Sequence, residues 1–132
     1  MSNDANANLR SLDLDAIEAK RGKERYEQDL IDALSGGINC MVRYVATPPG
    51  SGSPAGLHVH EFEQLFYILS GVMNIEIAGE GFEAKAGDLV VFHQGVPHRN
   101  WNGGIEETVH LAINSPLPDP NKPISIPVSA PA

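Results

Sequence analysis

The sequence predicts an all-β domain behind a short helical N-terminal segment, and three observations carry that expectation. Helix signals stop at Gly36–Gly37, short β-rich runs then recur between glycines, and the tail from Pro116 to Ala132 is punctuated by Pro116, Pro118, Pro120, Pro123, Pro127 and Pro131. Short strands at that density, joined by tight glycine turns, build an antiparallel sandwich or a closed barrel rather than a parallel sheet wrapped in helices.

The elements follow in chain order. Met1 to Asn8 is small and polar and is expected to be disordered. Residues 1–37 form the N-terminal polar and helical segment, where Leu12, Ile17, Tyr26, Leu30 and Leu34 stand at irregular helical spacing between Ser11 and Leu34. Asp15 followed by Glu18 resembles a capping box, Gly22 interrupts the pattern, and Gly36–Gly37 ends it. Residues 38–115 form the β-domain. It opens with "INCMVRYVA" and the reversing loop "TPPGSGSPAG", then continues as "LHVH", "EQLFYILSG", "VMNIEIAG", "GFEAKAGD", "LVVF", "WNGG" and "ETVHLAIN". Residues 116–132 are the Pro-rich tail, which is neither helix nor central strand and reads as an extended arm on the outside or on a second subunit.

Composition narrows the function classes. The 132 residues, 42% hydrophobic and 20% charged, suit one domain with a real core. Nine basic against 17 acidic side chains give a net charge of −8, which argues against nucleic acid and against an anionic membrane surface as partners. Cys40 is alone, so no intrachain disulfide forms. The polar start carries no signal-peptide pattern and no apolar run reaches bilayer length, so a cytoplasmic location without a membrane partner is expected.

The chemistry concentrates in two stretches. Residues two apart in a strand share a face, so His58 and His60 present both imidazoles to one surface. Gln64 keeps that parity if the chain bends between them without losing register, while Glu63 points the other way and becomes the ligand only if the strand bulges. In "GDLVVFHQGVPHRNWN", Gly95 makes a turn and His98 follows. Three imidazoles and one amide oxygen make a half-open coordination set, with positions left for water or substrate.

Over Gly52 to Asn102 the chain resembles the cupins. Their first motif corresponds to Gly52, His58, His60, Gln64 and Gly71, and their second to Gly87, His93, Gly95, His98 and Asn102, with every spacing in register. Two positions depart from the family pattern: Gln64 stands for a glutamate and His93 for a proline. The resemblance implies a small double-stranded β-helix, the jelly-roll or cupin barrel, with a divalent transition metal (Mn, Fe, Ni or Zn) bound by His58, His60, Gln64 and His98. It also implies a homodimer. The ligand set resembles that of the pectin-degradation cupins.

An amide in place of the carboxylate removes one negative charge from around the metal. Metal affinity falls somewhat, and the ion becomes a stronger Lewis acid toward an anionic oxygen. The reading that follows is an enzyme acting on a small organic acid or sugar acid by metal-stabilised enolate chemistry of the isomerase or lyase type. An Fe(II) dioxygenase and a non-catalytic small-molecule binding or sensing protein are its rivals.

Other residues carry weaker expectations. His93 reads as a surface turn and His110 as a wall or an outer-face histidine. Arg43 and Tyr44 alternate, so only one faces inward; Arg43 reads as exposed, and facing inward it is a ready partner for a carboxylate. Phe66 and Ile68 read as core, and Trp101 as a packing or subunit-contact residue. Gly52, Gly71, Gly87 and Gly95 serve positive φ or close backbone approach.

Overall fold

The computed structural model describes residues 7–54 and 56–129, so most of the stretch read as disordered, residues 1–6, lies outside the described residues. Among these residues one α-helix, α1 (Leu14–Lys20), precedes ten strands: β1 (Tyr26–Ile31), β2 (Met41–Thr47), β3 (His58–Val59), β4 (Glu63–Ser70), β5 (Val72–Ile77), β6 (Glu80–Lys85), β7 (Leu89–Phe92), β8 (His98–Trp101), β9 (Thr108–Ser115) and β10 (Ile126–Pro127). They form two five-stranded antiparallel sheets, ordered β1-β2-β9-β4-β7 and β10-β3-β8-β5-β6. None of the described helices is long and apolar enough to cross a membrane.

The N-terminal segment departs from the sequence reading. Its helix is a single seven-residue element capped by Asp13, whose Oδ1 accepts from the Ala16 amide at 3.0 Å, so the cap lies two residues before the one expected at Asp15. The expected second helical stretch is β1, which pairs with β2 from Tyr26↔Ala46 to Ile31↔Val42. The alternation of Tyr26, Gln28 and Leu30 with Glu27 and Asp29 is a strand period, and its match to helical spacing is coincidental. A short 3-10 turn at Ala33–Ser35, capped by Asp32 and closed by Gly36 at φ 96°, leads into the loop before β2.

The main core lies between the sheets. Phe66 and Ile68 of β4, Met73 and Ile75 of β5, Val90 and Phe92 of β7, with Ala84 and Ala112, form one buried cluster. Central strands β2 and β9 are covered on both faces, because α1 lays Ile17 over Tyr44, Ala46 and Val109 on the outer side. The helix therefore closes the back of the sheet and leaves the inward face to the site.

Two glycines show why the corners are tight. A Cβ on Gly71, at φ 80°, would stand 2.5 Å from the Glu107 carbonyl oxygen, and one on Gly52 would stand 2.6 Å from the Asn100 oxygen. Gly71 combines left-handed backbone with close approach, whereas Gly52 serves close approach alone. Asn102, the last residue of the second motif, holds its corner by donating to the carbonyls of Thr47 at 3.0 Å and Glu106 at 2.7 Å.

The tail departs from expectation too. It does not pack only on the outside: β10 pairs with β3 through Ile126↔Val59 and Pro127↔His58, and the Val128 amide donates to the Leu57 carbonyl at 3.1 Å. An edge position accommodates the prolines.

Candidate metal centre

β3 carries His58 with His60 just beyond it, and His98 opens β8, where it stands directly opposite His58 in the antiparallel register. The turn at Gly95 ends before His98, as its place after the turn in the sequence predicts, and the imidazole sits on a strand. All three rings are buried, their centroids are 4.4 to 4.8 Å apart, and one nitrogen from each lies within 4.8 Å of the others.

Hydrogen bonds decide which nitrogens converge. His58 Nδ1 lies 2.5 Å from the Gly56 carbonyl oxygen, His60 Nδ1 2.7 Å from that of Ile124, and His98 Nδ1 3.0 Å from that of Val96. A carbonyl only accepts, so each Nδ1 carries the proton and donates, and each Nε2 is left with a free lone pair. Burial pushes His58 and His60 below the ordinary imidazole value of 6.5 and takes His98 down to about 4, which keeps the rings neutral. His98 Nε2 is buried without a hydrogen-bond partner.

Gln64 joins this set. Its amide nitrogen donates to Asn114 Oδ1 at 2.9 Å, which turns its Oε1 toward His60 Nε2 at 3.0 Å. With the His60 proton on Nδ1, that contact places two acceptors face to face. Three imidazole lone pairs and one amide oxygen therefore form a buried cluster of acceptors, and such a cluster is satisfied by a cation. The donor set fits a divalent transition metal, with the three carbonyls fixing the rings as such partners do around metal-binding histidines.

The sequence-predicted residues divide clearly. Gln64 faces inward with Phe66 and Ile68, as their shared parity requires, while Glu63 is exposed and pairs with the still more exposed His93 at 3.0 Å. His93 takes no part in the cavity. His110 is the wall histidine, 1% exposed and packed against the Phe66 ring at 4.1 Å between centroids. Arg43, expected to be exposed, is turned toward the interior and held by Asp29 at 2.6 and 3.3 Å. Trp101 lies under the Arg99 guanidinium at 4.9 Å, a packing contact.

A cavity of about 340 Å³ opens beside the histidines. His58, His60 and Gln64 line one part of it, and Arg25, Glu27, Arg43, Val45, Phe66, His110, Ala112 and Asn114 line the rest of the first sheet's face. Pro123, Ile124 and Ser125 of the tail close another side. Sequence reasoning missed Asn114, Arg25, Glu27 and Ile124. The parity of Asn114 with His110 on β9 was an available signal for the first, but the contribution of Ile124 is a backbone carbonyl, which no residue type announces.

Residues 43–114 match the family described as "Cupin domain". No curated protein matches the chain. Among solved structures, the polyketide cyclase RemF from Streptomyces resistomycificus superposes with a TM-score of 0.68 at 21% identity, covering 99% of this chain and 88% of that one. An RmlC-like cupin with a double-stranded β-helix fold from Methanocaldococcus jannaschii gives 0.68 at 15% identity, covering 83% and 91%. KdgF from Halomonas sp. gives 0.61 at 21% identity, covering 72% and 81%. At these identities the likeness establishes the double-stranded β-helix fold.

Proposed function

The chain belongs to the cupin family, and from that premise we propose that it is a metal-dependent enzyme acting on a small organic acid or sugar acid by enolate chemistry of the isomerase or lyase type. One observation carries the reading: the Nε2 atoms of His58, His60 and His98 and the Oε1 of Gln64 are acceptors gathered in a buried place with no proton to share among them. Those four residues hold the metal in this proposal, which is Mn, Fe, Ni or Zn. When bound, the cation supplies Lewis-acid polarisation of substrate oxygens and stabilises an enolate. No carboxylate stands among the ligands, so the substrate's own anionic oxygen supplies the compensating charge. The protein's part is to orient the rings through Gly56, Val96 and Ile124 and to exclude water with Phe66, Val45 and Ala112. A polyketide cyclase among the structures of the same fold is compatible with this class of chemistry. The proposal includes a homodimer, for which Tyr67, Leu89 and Val91 offer an exposed apolar strip on the outer face of β4 and β7.

The deciding experiment is the metal content of the purified protein beside His98→Ala and Gln64→Ala. Near-stoichiometric metal that disappears in His98→Ala supports the centre. Protein that retains no metal even after incubation with Mn, Fe, Ni and Zn overturns it and leaves a non-catalytic binding cupin. Oxygen consumption by the iron-loaded form with a substrate would replace the isomerase or lyase reading with a dioxygenase.

A further inference from the structure

The sheet register orders the cavity wall into rows. Gln64, Asn114 and Met41 stand side by side at the metal end; Phe66, Ala112, Arg43 and Asp29 form the next row; Ile68, His110, Val45 and Glu27 form the third. His110 is thus four residues along β9 from Asn114, about 13 Å at the rise of a strand. Arg25 precedes β1 with the parity of Glu27 and Asp29 and reaches into the same cavity. Between the imidazoles and Arg25 the wall carries the apolar side chains Phe66, Ala112 and Val45 beside Arg43, Glu27 and His110.

The charges at this second end are unequal in what they leave free. Arg43 spends Nε and Nη2 on the two oxygens of Asp29, and its remaining nitrogen faces Glu27 at 3.6 Å. Among the described residues, Arg25 is held by Glu27 through Nη1, with no hydrogen bond to its Nε or Nη2. Its side chain is only 23% exposed. A half-buried guanidinium with an open fork on a cavity wall matches the two oxygens of a carboxylate. Its positive charge also reaches the buried His110 and adds to the effect of burial in keeping that ring neutral.

We propose that Arg25 is the specificity-determining residue for the far end of the ligand, and that the ligand is an elongated diacid with an oxygen-rich chelating end at the imidazoles and a second carboxylate at Arg25. This rests on the metal reading above. Glu27 competes with the ligand for the same guanidinium and thereby sets the affinity.

The test is isothermal titration of the Mn-loaded protein with a chain-length series of 2-oxo diacids, from 2-oxoglutarate through 2-oxosuberate to 2-oxosebacate, each against the 2-oxo monoacid of the same chain length, which offers the same keto-acid end without a distal charge. At least one diacid is expected to bind about tenfold or more tighter than the monoacid, the scale of a charge-assisted hydrogen bond. In Arg25→Gln that ratio falls to near one while Mn binding is unchanged, Arg25→Lys keeps part of it, and Glu27→Gln raises diacid affinity. A ratio near one in the wild type, or a ratio that survives in Arg25→Gln, overturns the inference. Mn titration of the unliganded wild type comes first. Absent Mn binding defeats the proposed function and this inference together, whereas Mn binding with a ratio near one defeats this inference alone.

Discussion

At the scale of single residues, the amide of Gln64 is held between His60 and Asn114, and that position sets what a carboxylate there would do. Gln64→Glu adds a negative charge facing the imidazoles and is expected to raise affinity for Mn or Zn several-fold, read by isothermal titration. The gain is limited because the new oxygen meets Asn114 Oδ1, and relieving that clash requires the Asn114 amide to turn over and give up its contact with Met41 Sδ at 3.6 Å. His110 provides a second prediction. Burial and the charge of Arg25 lower it from 6.5 to about 3, so the unfolded chain binds its proton before the folded one does. Its contribution to stability is fully present above pH 6.5 and is lost progressively as pH falls from there to about 3. Melting temperatures of the metal-free protein should therefore drop on acidification below pH 6.5, with a shallower slope in His110→Gln. The inward position of Gln64 was legible from parity with His58 and His60. That of His110 was not, because a histidine alternating with Val109 and Leu111 on a strand covered on both faces shows no polar side.

At the scale of elements, the tail is tied to the strand that carries His58 and runs directly into His60. β10 pairs with β3, and the Ile124 carbonyl accepts from His60 Nδ1. Removing residues 119–132 deletes that acceptor and exposes the edge of β3. Metal affinity is expected to fall about ten- to hundredfold, as it does when partners of metal-binding histidines are lost. A metal titration of the truncated protein, checked for retained β-structure by circular dichroism, reads this; unchanged affinity would reduce the tail to a cover. The prolines ruled out helix and central strand correctly. They said nothing of which edge the tail joins, because pairing depends on which strand presents free carbonyls and amides beside it. β1 makes the converse point: six residues of alternating character were read as helix among charged neighbours, and the partner offered by β2 decided otherwise.

At the scale of the whole molecule, β3 and β8 pair side by side in one sheet, so a cation at the imidazoles bridges segments about forty residues apart in sequence. Metal that binds the folded chain and not the unfolded one stabilises it by mass action. Chelation of the purified protein is expected to lower its melting temperature by several degrees, with recovery on adding back Mn, Ni or Zn. A melting temperature indifferent to chelator and to added metal would contradict the proposed centre. His98→Ala should show neither loss nor recovery, since His98 belongs to the opposing strand and closes the set.

Residue spacing by itself determined the all-β class, the two motifs and the four acceptors, because strand parity and glycine turns are local properties that survive in a linear reading. Only the tertiary structure decided that Arg25, Arg43 and His110 share one cavity, that Glu63 pairs with His93 on the surface, and that the tail orients His60. Those relations depend on which strands lie side by side. That order is set by the burial of both sheets against each other and of α1 against their back, which no single segment encodes.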